Sequence, residues 1–338
     1  MEIKNRSELV FLYDVRNANP NGDPDENKPR IDEETNINIV TDVRLKRTIR
    51  DYLYHYKGYN GSNEKDIFVR EIEYEPGKIQ DAKMRAKDFD NDPEKILNIC
   101  IDVRLFGGTI PITIKKKDEK GEEKEVGSSI TLTGPVQFGF GRSLHKVEVK
   151  YIKGTGAFAS EAGKEQKTFR EEYILPYSLI CFYGVINENA AKSTKLTEED
   201  VNELLDGIWN GTKNLITRSK FGQIPRFLLR VIYEVDNYHI GDLDKNIKLL
   251  DNEGKEVDRD GKDGKPLRSI EDVKLDLTEL INILKRERNK IKEIQIEVNN
   301  DVVFKLGDEE KKSKKELINA LSNIPELKDK IKPLDLDK

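Results

Sequence analysis

Apolar residues are concentrated in short segments separated by long polar stretches. Residues 8–16 form a near-continuous apolar run with aromatic residues and valines, which predicts a central strand buried on both faces. Similar runs at 177–186 and 227–233 predict two further buried strands. Weaker alternation at 130–140 and a short run at 67–74 predict additional strands.

Helices are predicted where apolar residues recur every three to four positions. Thr41 is expected to cap a helix that runs to about Tyr54. Thr197 and the acid three residues later resemble a capping box, and the segment behind them has a clear apolar face. Further helices are expected near 93–101, 276–288 and 315–322. Because strands and helices interleave and some strands form hairpins, the pattern indicates an α+β fold of ferredoxin-like type with large insertions.

Composition and charge narrow the class of protein. The 338 residues are 36% hydrophobic and 36% charged, and no apolar run approaches the roughly 18 residues of a membrane span. The first residues enter the first strand without the apolar region of a signal peptide. We therefore expect a cytoplasmic protein with no membrane partner. The net charge of −5 does not exclude nucleic-acid binding, because the local field matters more than the sum.

The cysteines and histidines do not have the spacing of a metal site. Cys100 and Cys181 lie in apolar surroundings and are expected to be buried free thiols. A structural zinc site needs about four clustered ligands, and the three histidines are scattered. We expect neither a metal nor a cofactor.

The first predicted helix has the strongest basic feature. At about 100° per residue, Lys46, Arg47 and Arg50 fall on one stripe, with Arg44 nearby. Such a stripe could pair with successive phosphates, for which the planar guanidinium is well suited. A simple solvated helix face gives the same pattern, so both interpretations stay open.

Several loops could also contact a nucleic-acid backbone. The polar loop from Asn17 follows the central strand, and its Asn and Gly residues expose backbone amides. Glycines near 134–141 permit close backbone approach, and basic residues cluster at 213–226. Residues 153–167 form a Gly-rich excursion that departs from a P-loop, because Glu165 follows Lys164. Ordinary turns, a bulged strand and surface charge are the alternative interpretations.

Five motifs occur in order along the first ~235 residues. They are residues 12–24, 41–52, 102–108, 134–143 and 219–226. Together they resemble the backbone subunits of type I CRISPR Cascade complexes, the Cas-seven (Cas7) family of RAMP-type proteins, in a branch like that of subtypes I-B and I-C. The resemblance implies a protein that coats a guide RNA and catalyses nothing itself.

The resemblance also implies an architecture and a set of partners. Residues 1–338 would form one RRM-like palm with an antiparallel sheet and large insertions. The expected insertions are a polar loop at 17–36, a finger at 75–130, a thumb at 150–172 and an exposed insertion at 236–270. Copies would polymerise head to tail along crRNA, which pairs with target DNA. Further partners would be the large subunit, the subunit that caps the crRNA 5′ end and the endonuclease that processes crRNA.

The resemblance implies that Lys46, Arg47 and Arg50 on the first helix bind crRNA phosphates. Other branches of the family have a polar residue near position 43, whereas this chain has Val43. The complete set of candidate RNA-binding residues is Asn19, Asn21, Arg44, Lys46, Arg47, Arg50, Gln137, Arg142, Ser143, Lys164, Arg218, Lys220 and Arg226. One alternative is a metal-dependent RNA endonuclease of a type III-like effector complex, with Asp23 or Asp25 as the loop acid and Mg²⁺. A second alternative is an oligomerising protein that binds no RNA.

Overall fold

The computed structural model describes residues 1–117, 123–159, 167–257 and 266–337. The helices are α1 (Asp42–Tyr56), α2 (Ala82–Lys87), α3 (Pro93–Ile99), α4 (Ile101–Phe106), α5 (Glu188–Thr194), α6 (Glu198–Lys213), α7 (Thr278–Arg286) and α8 (Lys314–Ser322). The strands are β1 (Ser7–Ala18), β2 (Ile37–Val40), β3 (Glu73–Glu75), β4 (Lys78–Ile79), β5 (Gly107–Lys117), β6 (Glu123–Thr133), β7 (Val136–Phe138), β8 (Gly141–Lys146), β9 (Lys150–Ala159), β10 (Lys167–Ile186), β11 (Gln223–Tyr233), β12 (Lys248–Asp251), β13 (Val273–Asp276), β14 (Ile291–Val298), β15 (Phe304–Leu306), β16 (Glu309–Lys311) and β17 (Ile331–Pro333).

One large sheet organises the fold. Its strand order is β17-β14-β11-β1-β10-β8-β2, and β7 and β9 also pair with β10. β1 lies in the middle and runs antiparallel to both β10 and β11. The buried central strand predicted from the apolar run is therefore confirmed. The described chain is a mixed α/β structure in which antiparallel pairing predominates, as expected for the coarse fold class.

Alternation along β1 divides the core into two layers. Val10 and Leu12 face the C-terminal elements, whereas Phe11 and Tyr13 face α1, α4 and α6. Successive side chains of a strand point to opposite faces, so an apolar residue is needed at nearly every position. A third, smaller cluster that includes Phe68 joins α2, α3, α4 and β5.

The helix predictions are largely confirmed, with some differences at the ends. Thr197 and Asp200 form the expected capping box of α6. The side chain of Thr41 precedes α1 but makes no capping hydrogen bond to the helix. The predicted helix at 93–101 is divided into α3 and α4, because Cys100 has extended backbone angles.

The strand predicted over 67–74 is wrong for most of its length. Only Glu73–Glu75 is extended, and it forms a small hairpin with Lys78–Ile79. Ile67 and Phe68 are buried instead in loop backbone, which explains the apolar run. Both cysteines are free and buried, as predicted.

The expected insertions differ in how much of each is packed. β9 and the first part of β10 form a hairpin that continues beyond the large sheet, while residues 160–166, including Lys164, lie outside the described residues. Within the segment expected as an exposed insertion at 236–270, Leu243, Ile247 and Leu249 are buried in the C-terminal core. In the described parts of the chain, no helix is long and apolar enough to span a bilayer.

Candidate nucleic-acid interface

Three of the sequence motifs meet at one end of the large sheet. β1 ends there, β11 begins there and α1 starts beside them. The loop after β1 contacts the loop before β11 through a hydrogen bond from the Asn19 backbone N–H to the Ser219 carbonyl oxygen, at 2.7 Å. Residues separated by 200 positions are therefore neighbours at this end.

The polar loop after β1 is held by its own asparagines. Asn21 Oδ1 accepts hydrogen bonds from both the backbone N–H and the hydroxyl of Thr41, each at 2.9 Å. Asn19 is buried, and its Nδ2 donates to the Asn27 carbonyl oxygen at 2.6 Å. A Cβ at Gly22 would lie 1.9 Å from Asn27 Oδ1, so any other residue at this position would displace the Asn27 side chain. The two candidate asparagines are thus engaged in shaping the loop and anchoring it to α1.

Arg44 and Lys220 interact electrostatically, and neither forms a salt bridge with a described carboxylate, although the more distant Asp51 raises the pKa of Arg44. Arg44 Nη2 donates to Thr48 Oγ1 at 3.0 Å, and its buried Nε has no hydrogen-bond partner among the described residues. Lys220 Nζ donates to Ser219 Oγ at 3.3 Å. Burial lowers the pKa of both groups, and the charge of Arg44 lowers the pKa of Lys220 further. Within the described residues neither cation forms a salt bridge, so a bound anion would relieve their desolvation and mutual repulsion.

The cations of the stripe on α1 (Lys46, Arg47 and Arg50), in contrast, are all paired with carboxylates. The N–O distances are 2.9 Å for Lys46–Asp42, 2.7 Å for Arg47–Asp51 and 2.9 Å for Arg50–Asp102. Lys46 and Arg50 also cover the ring of Phe106, at 5.6 and 5.1 Å from its centroid. Only Arg47 is well exposed, at 51% of its side chain.

Arg50 connects α1 to the small third core. Its partner Asp102 is 1% exposed and also accepts backbone N–H groups of Phe68 at 2.7 Å and Val69 at 3.1 Å. A phosphate could reach Arg50 only in competition with this buried carboxylate. The prediction that Lys46, Arg47 and Arg50 bind phosphates stays a prediction, and the contacts give Arg50 a structural role.

The candidates on the β7–β8 side differ in exposure. Ser143 is buried; its Oγ accepts from the Asn38 N–H at 2.9 Å and donates to the His145 carbonyl oxygen at 2.6 Å. The Gln137 side chain is exposed and donates to the Gly134 carbonyl oxygen at 2.8 Å. Arg142 is 55% exposed and only loosely paired with Asp32, at 3.8 Å. Arg142 is therefore the accessible cation of this side.

His145 belongs to the core of the same strand. Its Nε2 accepts a hydrogen bond from the Leu179 N–H at 3.1 Å, and burial lowers its pKa to about 4. The ring is therefore neutral at pH 7 and has no accessible face for a ligand, which agrees with leaving it out of the candidate set.

The candidates around β11 divide in the same way. Arg226 is buried and forms a salt bridge to Asp14 at 2.9 Å, with a second contact to Asn299 at 2.7 Å. Arg218 is 61% exposed and 3.2 Å from Glu172. Arg226 therefore organises the sheet end from inside, whereas Arg218 reaches solvent.

Two accessible residues of this end were not assigned by the sequence reasoning. Arg16 is exposed and, in the described part of the chain, has no ion-pair partner. Phe221 is 66% exposed, directly after Lys220. Both residues lie inside the five sequence motifs. Each is a charged or aromatic residue next to the point where the apolar run of a strand begins or ends, and this feature could have identified them from the sequence.

The loop acids do not assemble a metal site. Asp23 Oδ1 accepts backbone N–H groups of Asp25 and Glu26 at 3.0 and 2.8 Å, and these hydrogen bonds lower its pKa. No three His, Cys, Asp or Glu side chains converge as potential metal ligands anywhere in the described ranges. Asp23 shapes the turn of its own loop.

Comparison with known proteins gives matches to CRISPR-associated proteins. Residues 5–278 match a family model described as CRISPR-associated protein Cas7. A CRISPR-associated protein Cas7 from Haloferax volcanii is 35% identical over 324 residues, which cover 91% of each chain. Among solved structures, a chain of a CRISPR RNA-guided surveillance complex in a pre-nicking state has a TM-score of 0.48 at 11% identity, covering 86% of this chain and 92% of that one. A second surveillance-complex chain has a TM-score of 0.47 at 13% identity, covering 87% and 88%.

Proposed function

Because this chain belongs to the Cas7 family of CRISPR-associated proteins, we propose that it is the crRNA-binding backbone subunit of a type I Cascade complex. It polymerises along the guide RNA in the cytoplasm and presents the guide for pairing with target DNA. Its other partners are further copies of itself and the remaining Cascade subunits, and its branch is that of subtypes I-B and I-C.

The observation that carries this proposal is the unpaired pair of cations at the end of the large sheet. Arg44 and Lys220 have no carboxylate partner among the described residues, although both are substantially buried. An anion of fixed position supplies the missing counter-charge, and a phosphodiester is such an anion. Further exposed cations are found on the same sheet and its loops. They are Arg16 in β1, Arg142 in β8 and Arg218 in the loop before β11.

The architectural terms of the family belong to the same proposal. The large sheet with α1 and α6 is the RRM-like palm. The segment 75–130, which contributes most of the third core, is the finger, and the β9–β10 hairpin within 150–172 is the thumb. The polar loop at 17–36 anchors the start of α1 beside the RNA, and the segment 236–270 covers the other face of the palm.

Copurification of RNA tests the proposal. The purified protein is expected to carry a discrete RNA of guide length, with a raised ratio of absorbance at 260 and 280 nm. Arg44→Glu combined with Lys220→Glu is expected to remove that RNA while the protein stays folded. A wild-type protein that assembles with the other subunits but never contains RNA would contradict the proposal.

A cleavage assay tests the non-catalytic role. Assembled complex incubated with complementary RNA and Mg²⁺ is expected to leave that RNA intact, because Asp23 is engaged in its own turn. Regularly spaced cuts that disappear in Asp23→Ala would support the endonuclease instead.

A further inference from the structure

A cavity lies beside the loop that holds Lys220. It has a volume of 440 Å³ and opens beside the end of β1. Its rim is formed by exposed residues and its floor by buried ones. Its lining includes Asp14, Arg16, Tyr177, Arg218, Phe221 and Arg226, and we call this cavity the Phe221 pocket.

The floor of the Phe221 pocket is polar and not fully satisfied. Asp14 is 3% exposed, is paired with Arg226 at 2.9 Å and accepts a hydrogen bond from the Tyr177 hydroxyl at 3.2 Å. Arg226 is 5% exposed, and its buried Nε has no hydrogen-bond partner among the described residues. A buried donor without a partner destabilises the protein, so a ligand that accepts a hydrogen bond from it gains affinity.

The rim supplies an aromatic face and positive charge. Phe221 is 66% exposed and Ile224 is 38% exposed, so both present apolar surface at the cavity. Gly222 follows with a φ of +80°, and this left-handed turn sets Phe221 at the mouth. Arg16 is exposed without an ion-pair partner in the described chain, and Arg218, which also lines the pocket, is 61% exposed.

A nucleobase combines the properties that this surface would recognise. It has a flat apolar face for Phe221, hydrogen-bonding edges for the Arg226 and Asp14 floor, and a flanking phosphate for Arg16 and Arg218. A purely aliphatic ligand would leave the floor unsatisfied, and an isolated phosphate would leave Phe221 exposed.

We propose that the Phe221 pocket holds one base of the bound RNA strand, stacked on Phe221, with its phosphate between Arg16 and Arg218. This inference rests on the proposed RNA-binding function. Since Lys220 and Phe221 are consecutive, the phosphate held by Arg44 and Lys220 and the base in the pocket belong to adjoining parts of the same strand.

The test compares two short oligomers, each long enough for one copy of the protein only. One is a single-stranded RNA and the other is the same sugar–phosphate chain without bases. Wild-type protein is expected to bind the RNA about tenfold more tightly, which is typical of one stacked base. Phe221→Ala is expected to bring this ratio close to one, and Phe221→Tyr is expected to keep it.

Control variants separate this inference from the proposed function. Arg44→Ala is expected to weaken both oligomers by the same factor and leave their ratio unchanged. If Phe221→Ala leaves the ratio of the two affinities at the wild-type value, the proposed base pocket is wrong. If that variant also loses association between copies of the protein, the pocket binds a neighbouring copy instead of a base. If wild-type protein binds neither oligomer, the RNA-binding function itself fails.

Discussion

Arg44 and Arg50 lie on the same helix but in opposite electrostatic surroundings. Arg50 is paired with the buried carboxylate of Asp102, which also holds two backbone N–H groups of the third core. Arg44 lies beside Lys220, and in the described chain neither has a carboxylate partner. One basic residue therefore stabilises the folded protein, while the other is held at a cost that a bound anion can offset. The basic face of α1 is therefore not one functional unit.

The largest expected effect is on the paired side. Arg50→Ala leaves the Asp102 carboxylate buried without its cation, which is expected to lower the free energy of unfolding by about 3–5 kcal/mol. Denaturant unfolding measures this change. RNA affinity per folded molecule is expected to stay at the wild-type value, and a selective loss of affinity with normal stability would reverse the assignment of Arg50.

The second largest effect is expected at Lys220, where a substitution should increase stability rather than lower it. Lys220→Met removes one of two adjacent, partly buried cations, so the melting temperature is expected to rise while RNA affinity falls about tenfold. Lys213→Met is the matched control, because Lys213 lies on the same stretch of chain but is paired with Asp337. The control is expected to leave RNA affinity unchanged, and equal losses in both variants would contradict the comparison.

A smaller effect is expected from pH. Burial and the charge of Arg44 lower the pKa of Lys220, so Lys220 loses its proton at a lower pH than an ordinary lysine. Above that pH the unfolded chain binds more protons than the folded one, and stability from this group increases with pH until the unfolded lysine also titrates. RNA affinity is expected to fall over the same range, measured by titration between about pH 8 and pH 10.

Lys220→Arg provides the control for the pH series. Because the guanidinium stays protonated, the variant is expected to keep its RNA affinity across that range. A wild-type affinity as flat as that of the variant would show that Lys220 is not the titrating contact.

The smallest effect is expected at the exposed end of the stripe. Arg47 is 51% exposed and paired with Asp51, and such surface pairs contribute about 0–1 kcal/mol. Arg47→Ala is expected to change the free energy of unfolding by less than about 0.5 kcal/mol and RNA affinity by less than about threefold. A larger loss of affinity would return the stripe to the centre of the RNA interface.

Sequence patterns predicted helices and strands correctly where residues close together in the sequence determine the structure. The central strand, α1 and the capping box of α6 follow from periodicity and capping residues within a few positions. The run at 67–74 failed because Ile67 is buried in the layer of α1, α4 and α6, and Phe68 in the third core, rather than by strand pairing.

The candidate site could be predicted only in part, since its electrostatics depend on distant residues. Arg50 meets Asp102 across 52 positions, and a sequence pattern cannot show which cation will find such a partner. Arg226 belongs to a cluster of basic residues that is typical of a surface. It is buried nevertheless, because Asp14 on the neighbouring strand forms a salt bridge with it. The meeting of Arg44 with Lys220 depends in the same way on how α1 packs against the end of β11.

The salt dependence of RNA binding distinguishes the cations that contact phosphates from those that are neutralised within the protein. The slope of log affinity against log salt concentration is measured for wild-type protein, for Arg44→Ala with Lys220→Ala, and for Lys46→Ala with Arg47→Ala. The first double variant is expected to reduce the slope by about 0.7, because Arg44 and Lys220 hold one phosphate together, and the second is expected to leave it nearly unchanged. A reduction in the second variant with a wild-type slope in the first would contradict the account.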